Sequence, residues 1–374
     1  MRYIIAFPLK VFLILLLLSC VNTSYSRLDE KAINDELVDL ILGQFPHHGK
    51  AFYEHELKIK EPKLKANPND FELRNDIAVA YLKLERWYDA KELFSQNDKL
   101  FPNRYKTHAN LGVMYKKMGE FSKAAFHIKK SLEIKPEGHM GLGHYYLKMI
   151  KWRKNFQKGQ QTNFLGVDYE NRKETKRKAN KKYVITLIIN DFKFIDSYIV
   201  LGDILFEEKK YQLAMRAYMR AEGLAYEYDD EYHFLASMAR RRFQETARLL
   251  IRNKSSFQVG SWVKGLKQIR DEIDGANNWL NEFQKTEAAM IANNEKVSFD
   301  NIRKKMETKG IHKPQIIEAA IFRGFSYNII VVGFALIVSL LICYHIYDKF
   351  KRTKLDRPHQ SIAKKKHQSF RLSL

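Results

Sequence analysis

An all-α fold, a set of helical repeats followed by long helices and one membrane-spanning helix, is what this chain of 374 residues predicts. Three observations carry it. The chain has only 17 Gly and 8 Pro, few for a turn-rich β architecture and suited to long helices. Small, aromatic and proline positions recur with a spacing of 34 between Phe71–Arg104 and Tyr105–Gly138. An apolar run close to the C-terminus is long enough to cross a bilayer. Hydrophobic residues make up 45% of the chain, so a sizeable core is available.

Residues 1–20 read as an export signal. Arg2 and Lys10 precede an unbroken apolar run, Val11–Leu18, which is too short to span a membrane but has the length of a signal h-region. Two processing routes stay open. Leu17-Leu18-Ser19-Cys20 resembles the lipobox of bacterial lipoproteins, which implies acylation of Cys20, although Leu18 is bulkier than the residue usual at its place. The alternative is ordinary cleavage near Ser24 or Ser26.

Residues 27–66 are expected to cap the repeats. Leu28, Ala32, Ile33, Leu37, Leu40 and Ile41 fall at helical spacing, with Pro46 closing that helix. A second helix over 49–66 is kinked or broken at Pro62.

Two repeats fill 67–138. In the first, Ile77, Ala78, Tyr81, Ala90, Phe94 and Pro102 hold the key positions; in the second, Leu111, Gly112, Tyr115, Ala124, Ile128 and Pro136 hold the same ones. A small residue at the eighth place and an alanine at the twentieth let two antiparallel helices approach, and the proline stops the second helix. A third copy spans 195–228, where Leu201, Gly202, Ala214, Tyr218 and Ala221 match, Leu205 replaces the tyrosine and Tyr226 the proline. This pattern resembles the tetratricopeptide repeat and, with the export signal, exported bacterial proteins of that kind. The resemblance implies a helical-hairpin solenoid that binds proteins and catalyses nothing.

Residues 139–194 read as a degenerate repeat, with one helix at Gly141–Trp152, its partner at Tyr183–Ile189 and an insertion between. Ten Lys and Arg lie between Arg153 and Lys182, against Asp168, Glu170 and Glu174. A solvated loop is the favoured reading, a contact for an acidic partner or phospholipid the other. Residues 229–325 form a C-terminal helical region: one helix to Arg252, then a long one from Ser261 to about Asn294 whose stripe is Trp262, Leu266, Ile269, Ile273, Leu280 and Phe283. Gly275 is a place for it to bend, and whether its end packs on the repeats or projects as a stalk stays open.

Residues 326–347 form the membrane helix. Ile329–Tyr347 carries no Lys, Arg, Asp or Glu, and Tyr327, Tyr344 and Tyr347 stand where interfacial aromatics belong. The tail at 348–374 has nine Lys and Arg against Asp348 and Asp356, which orients the C-terminus to the cytoplasm and places residues 27–325 on the extracytoplasmic, periplasmic side. The tail is also suited to anionic lipid.

Motif searches point away from catalysis. There is no GxGxxG, no GxxxxGK[ST], no GxSxG and no CxxCH. The two cysteines, Cys20 and Cys343, sit at opposite ends of the chain, so neither a disulfide framework nor a thiolate metal site follows. Tyr53-Glu54-His55-Glu56 lacks the second histidine of a zinc motif, and His139 and His144 do not share a helical face. No cofactor, no metal and no nucleic-acid partner is expected, and the net charge of +22 bears on partners and solubility, not on fold. The resemblance implies a partner groove lined by the first helix of each repeat, here Asn75, Val79, Leu82, Ala109, Val113 and Lys116, suited to an amphipathic or acidic peptide. Of the carboxylate clamp known in some such proteins, only Asn110 is in place. A membrane-anchored interaction scaffold is the first reading. Next come a transmembrane signalling or envelope-assembly component working through the basic tail, and then an enzyme with an unrecognised site.

Overall fold

The computed structural model describes residues 35–157, 159–227, 232–252 and 259–314. The chain divides into two compact units, 1–255 with 266–317 and 256–265 with 318–374; the described residues lie in the first, except for 259–265. The signal, Cys20, the membrane helix and the basic tail predicted above lie outside the described residues. Among those described, no helix is long and apolar enough to cross a membrane.

Among the described residues the regular structure is helical, α-helices with one 3-10 turn at Gly138–Gly141, and there is one isolated β-bridge, Thr162 to Asp168. In chain order the α-helices are α1 (Asp35–Leu42), α2 (Lys50–Ala66), α3 (Phe71–Lys83), α4 (Trp87–Leu100), α5 (Tyr105–Lys117), α6 (Phe121–Ile134) and α7 (Leu142–Lys154). Then follow α8 (Arg172–Lys178), α9 (Lys181–Asn190), α10 (Ile195–Glu207), α11 (Tyr211–Tyr226), α12 (His233–Arg252), α13 (Val259–Ala292) and α14 (Phe299–Thr308). Each helix packs on its neighbour from α2 to α7, α9 packs on both α7 and α10, and α10, α11 and α12 pack in series.

Repeat chemistry explains the hairpins α3–α4, α5–α6 and α10–α11. At the eighth place a Cβ on Gly112 would lie 2.4 Å from Ile128 Cδ1, and one on Gly202 would lie 2.4 Å from Tyr218 Cε1. Those distances leave no room for a side chain. Ala90, Ala124 and Ala214, at the twentieth place, are fully buried. The turns are alike too. Arg86 N donates to Tyr81 O, Glu120 N to Tyr115 O and Lys210 N to Leu205 O, the six-to-one bond of a Schellman motif. The residue in the left-handed region is Glu85, Gly119 and Lys209 in turn, each at the fifteenth place of its repeat.

Three expectations need revising. The first helix ends at Leu42, not at Pro46: Gly43 is left-handed (φ 84°) and Gln44 N donates to Asp39 O, so the cap comes before the proline. Helix α2 runs unbroken through Pro62; Lys58, whose carbonyl has no amide N–H to accept from at Pro62, is exposed to solvent. The basic insertion is not a solvated loop. Phe164, Leu165, Val167 and Tyr169 are buried, α8 packs on α10, and Asn163 Oδ1 accepts from Leu165 N and Val167 N to fix the turn. Four apolar residues among many cations are enough to dock it.

The long helix α13 is held to the rest of the chain between Glu272 and Glu287 and does not project as a stalk there. Arg216 of α11 makes a bidentate pair with Glu272, at 2.7 and 2.9 Å. Trp279, Phe283 and Met290 of α13 share a small core with Ile302 and Met306 of α14. The two ends of the described chain meet there: Gln44 Nε2 donates to Pro314 O at 3.4 Å, and Lys313 pairs with Asp39.

Candidate partner-binding site

The first helices of the repeats place the six groove residues on α3 and α5. Asn75, Leu82, Ala109 and Lys116 are buried, and Val79 and Val113 are half-buried. Asn110 donates from Nδ2 to Asn75 Oδ1 at 3.1 Å, which ties the two helices together and uses the one residue that matched the carboxylate clamp. Cys20 lies outside the described residues.

One of the six, Lys116, forms an ion pair with another segment of the chain. Lys116 Nζ pairs with Asp191 Oδ2 at 2.7 Å, with side chains 5% and 12% exposed. Asp191 caps the end of α9 and lies close enough to Tyr146 of α7 to raise that phenol's pKa, behind the larger effect of burial. Burial pushes the Lys116 ammonium below its usual range, and Asp191 opposes that shift. Lys116 thus has an acidic partner within the chain.

A second closure joins the segment after α1 to α13. His47 stacks near Phe192 at 4.9 Å between ring centres. Its pKa is lowered, by burial first and by Lys83 of α3 among smaller causes. His48 Nδ1 lies 2.5 Å from Glu287 Oε1, and Gly49 N donates to Glu287 Oε2 at 2.8 Å. Glu287 is wholly buried, so both of its oxygens are used inside the protein.

Two perturbed carboxylates lie on α10, a pattern that flags a candidate active site. Burial pushes Asp196 up to about 7 and Asp203 up to about 6, the latter against Arg242, Tyr218 and Arg172. Their contacts are structural. Asp196 accepts from Phe164 N (2.6 Å) and Tyr169 Oη (2.5 Å), which pins the insertion to α10, and Tyr218 Oη donates to Asp203 at 2.8 Å. Beside Tyr169 a cavity of about 350 Å³ opens between the insertion and α12, next to Phe234 and Met238. Its Arg241 is paired with Glu170. Among the described residues, no three His, Cys, Asp or Glu side chains converge as metal ligands.

Sequence reasoning missed Asp191, His47, His48 and Glu287. Nothing local marks them; only the packing of distant segments brings them to α3, α5 and α13.

Comparison with known families identifies a tetratricopeptide repeat at residues 105–137 and again at 195–228. These stretches are α5–α6 and α10–α11. Residues 71–104 fall outside the matched stretches, although α3–α4 pack and turn in the same way. No curated protein matches the chain.

Proposed function

We propose that this protein is a scaffold for protein partners, held to a membrane by residues 326–347 with its repeat domain on the extracytoplasmic side. The tetratricopeptide repeats at 105–137 and 195–228 support the binding of proteins and carry the proposal. The membrane part is supported by sequence alone: the export signal, the uncharged run Ile329–Tyr347 and the basic tail agree on one topology. A partner segment that reaches Lys116 competes with Asp191 for it, which favours partners able to displace that pair. Lys116, once released, offers such a segment a cation, which favours an acidic or amphipathic helix. Affinity capture from detergent-solubilised membranes tests this. Val79→Glu with Val113→Glu is expected to remove partners that the wild-type chain retains, at unchanged helix content. Equal capture by both chains would exclude the inner face as the binding surface.

A further inference from the structure

Two histidines face each other inside the second repeat. His108 of α5 and His127 of α6 bring their Nδ1 atoms to 3.1 Å. Counted within the repeat, these are the fourth and twenty-third places. The first repeat has Arg74 and Leu93 there, and the third has Tyr198 and Ala217. The hairpin therefore closes without histidine at either place, and the repeat architecture does not require the pair.

The surroundings orient both rings. His108 is 3% exposed, and its Nε2 lies 3.6 Å from Asp98 Oδ1 of α4. That carboxylate favours the proton on Nε2 and leaves the Nδ1 lone pair on the side of His127, as an outer carboxylate does for a ligating imidazole. Tyr115 stacks on the His127 ring at 5.4 Å between centres, and Phe126 stands nearly perpendicular to it at 5.2 Å. His127 is half-buried and Phe126 is exposed, so the pair is within reach of solvent. Burial, with a smaller effect of Lys130, lowers the pKa of both rings, so each is neutral at neutral pH and has a lone pair to give.

The separation is that of two ligands on one metal. Nitrogens bound to a single cation at about 2.0–2.1 Å stand about 2.9–3.3 Å apart, for angles between a right angle and the tetrahedral value. Without metal, the same 3.1 Å carries one N–H···N hydrogen bond. When a cation enters, the His127 proton passes from Nδ1 to Nε2 and a turn about χ2, a broad torsion in histidine, aims both lone pairs at it. No net proton is released.

We propose that His108 and His127 form a binding site for a divalent transition cation of the Cu2+ or Zn2+ kind, with Asp98 as the outer carboxylate and water in the remaining positions. Imidazole nitrogen suits these ions, whereas Mg2+ and Ca2+ take oxygen ligands. Two protein ligands make an exchangeable site, not one on which folding depends. The site is independent of the membrane and scaffold readings above.

Copper binds such donors most tightly of the first-row ions and serves as the probe. The full chain, solubilised in detergent, receives one equivalent of Cu2+ and is read by electron paramagnetic resonance. Wild type is expected to show coupling to two imidazole nitrogens. His127→Ala and His127→Asn should each lose that signature at unchanged helix content, while His144→Ala, at an exposed histidine of α7, should keep it. Competition against a chelator should show Asp98→Asn binding copper about tenfold more weakly than wild type. A two-nitrogen spectrum that survives in both His127 variants overturns the site and places the copper on other histidines. A wild type that binds copper no more tightly than those variants also overturns it, and an affinity unchanged in Asp98→Asn contradicts the outer carboxylate.

Discussion

Lys116 on α5 and Asp191 at the end of α9 form an ion pair of 2.7 Å with both side chains largely buried. The pair ties α5 to α9 within the chain. It also sets a cost, because a charge buried without its counterion is among the most expensive defects in a folded protein.

Asp191→Ala is therefore expected to lower stability by about 3 kcal/mol, since it strands the Lys116 ammonium. Lys116→Met in the same chain should restore most of the loss. Urea denaturation followed by circular dichroism measures both, and a double mutant no better than Asp191→Ala would show that the pair is not coupled.

The repeat turns make a cleaner prediction about backbone. Glu85 and Lys209 are exposed and hold φ of 62° and 61°, a region that costs an L-residue about 1–2 kcal/mol. Glu85→Gly and Lys209→Gly should each stabilise the protein by about 0.5–1 kcal/mol, after the greater freedom of glycine in the unfolded chain is subtracted. Gly119→Ala, at the equivalent place with nothing within 4 Å of the added Cβ, should destabilise by a similar amount. Thermal melts in parallel decide the sign.

Close helix approach predicts the opposite response at the eighth place. Gly202→Ala meets the Tyr218 ring at 2.4 Å, and Gly112→Ala meets Ile128 at the same distance. Overpacking of this kind costs about 1–3 kcal/mol. The tyrosine ring is anchored to Asp203, so Gly202→Ala should cost more than Gly112→Ala, where the end of the isoleucine can turn away.

Asp196 gives stability a pH dependence. Its folded pKa, about 7, lies above the unfolded value near 4, so the folded state holds its proton more tightly. The contribution is fully present below about pH 4 and is lost as pH rises through 7. Asp203, at about 6, acts in the same direction, while His127, lowered to about 4, opposes both as pH falls below 6.5. The contribution of Asp196 is isolated by difference. The gap in stability between wild type and Asp196→Asn should move in favour of Asn as pH rises from 5 to 8. A gap independent of pH would mean that the carboxyl is ionised throughout.

The hairpins were legible in the sequence because each is fixed by a short-range pattern. Gly112, Ala124 and Tyr115 stand within one repeat and announce their own packing. The docking of α13 was not legible, because it depends on pairs such as Arg216 with Glu272 and His48 with Glu287, which are 56 and 239 residues apart. In sequence each of these residues reads as one more charge on a solvated helix. The insertion failed differently. Its ten cations hid Phe164, Leu165, Val167 and Tyr169, and the carboxylate that receives it, Asp196, occupies a repeat position with no distinctive signature. The partner groove was read by analogy, and analogy gives no sign that Lys116 is paired within the chain.

The most direct measurement is partner capture by a chain in which the Lys116–Asp191 pair has been broken. Asp191→Ala removes the acid that Lys116 holds at 2.7 Å. Quantitative affinity capture from solubilised membranes should then recover the same partners as wild type in about fivefold greater yield, and Val79→Glu with Val113→Glu in the same chain should abolish the gain. Hydrogen exchange should show faster opening at the end of α9 in Asp191→Ala, with α11 unchanged. If exchange confirms the release and capture does not rise, the inner face is a structural seam, and the scaffold reading loses its binding surface.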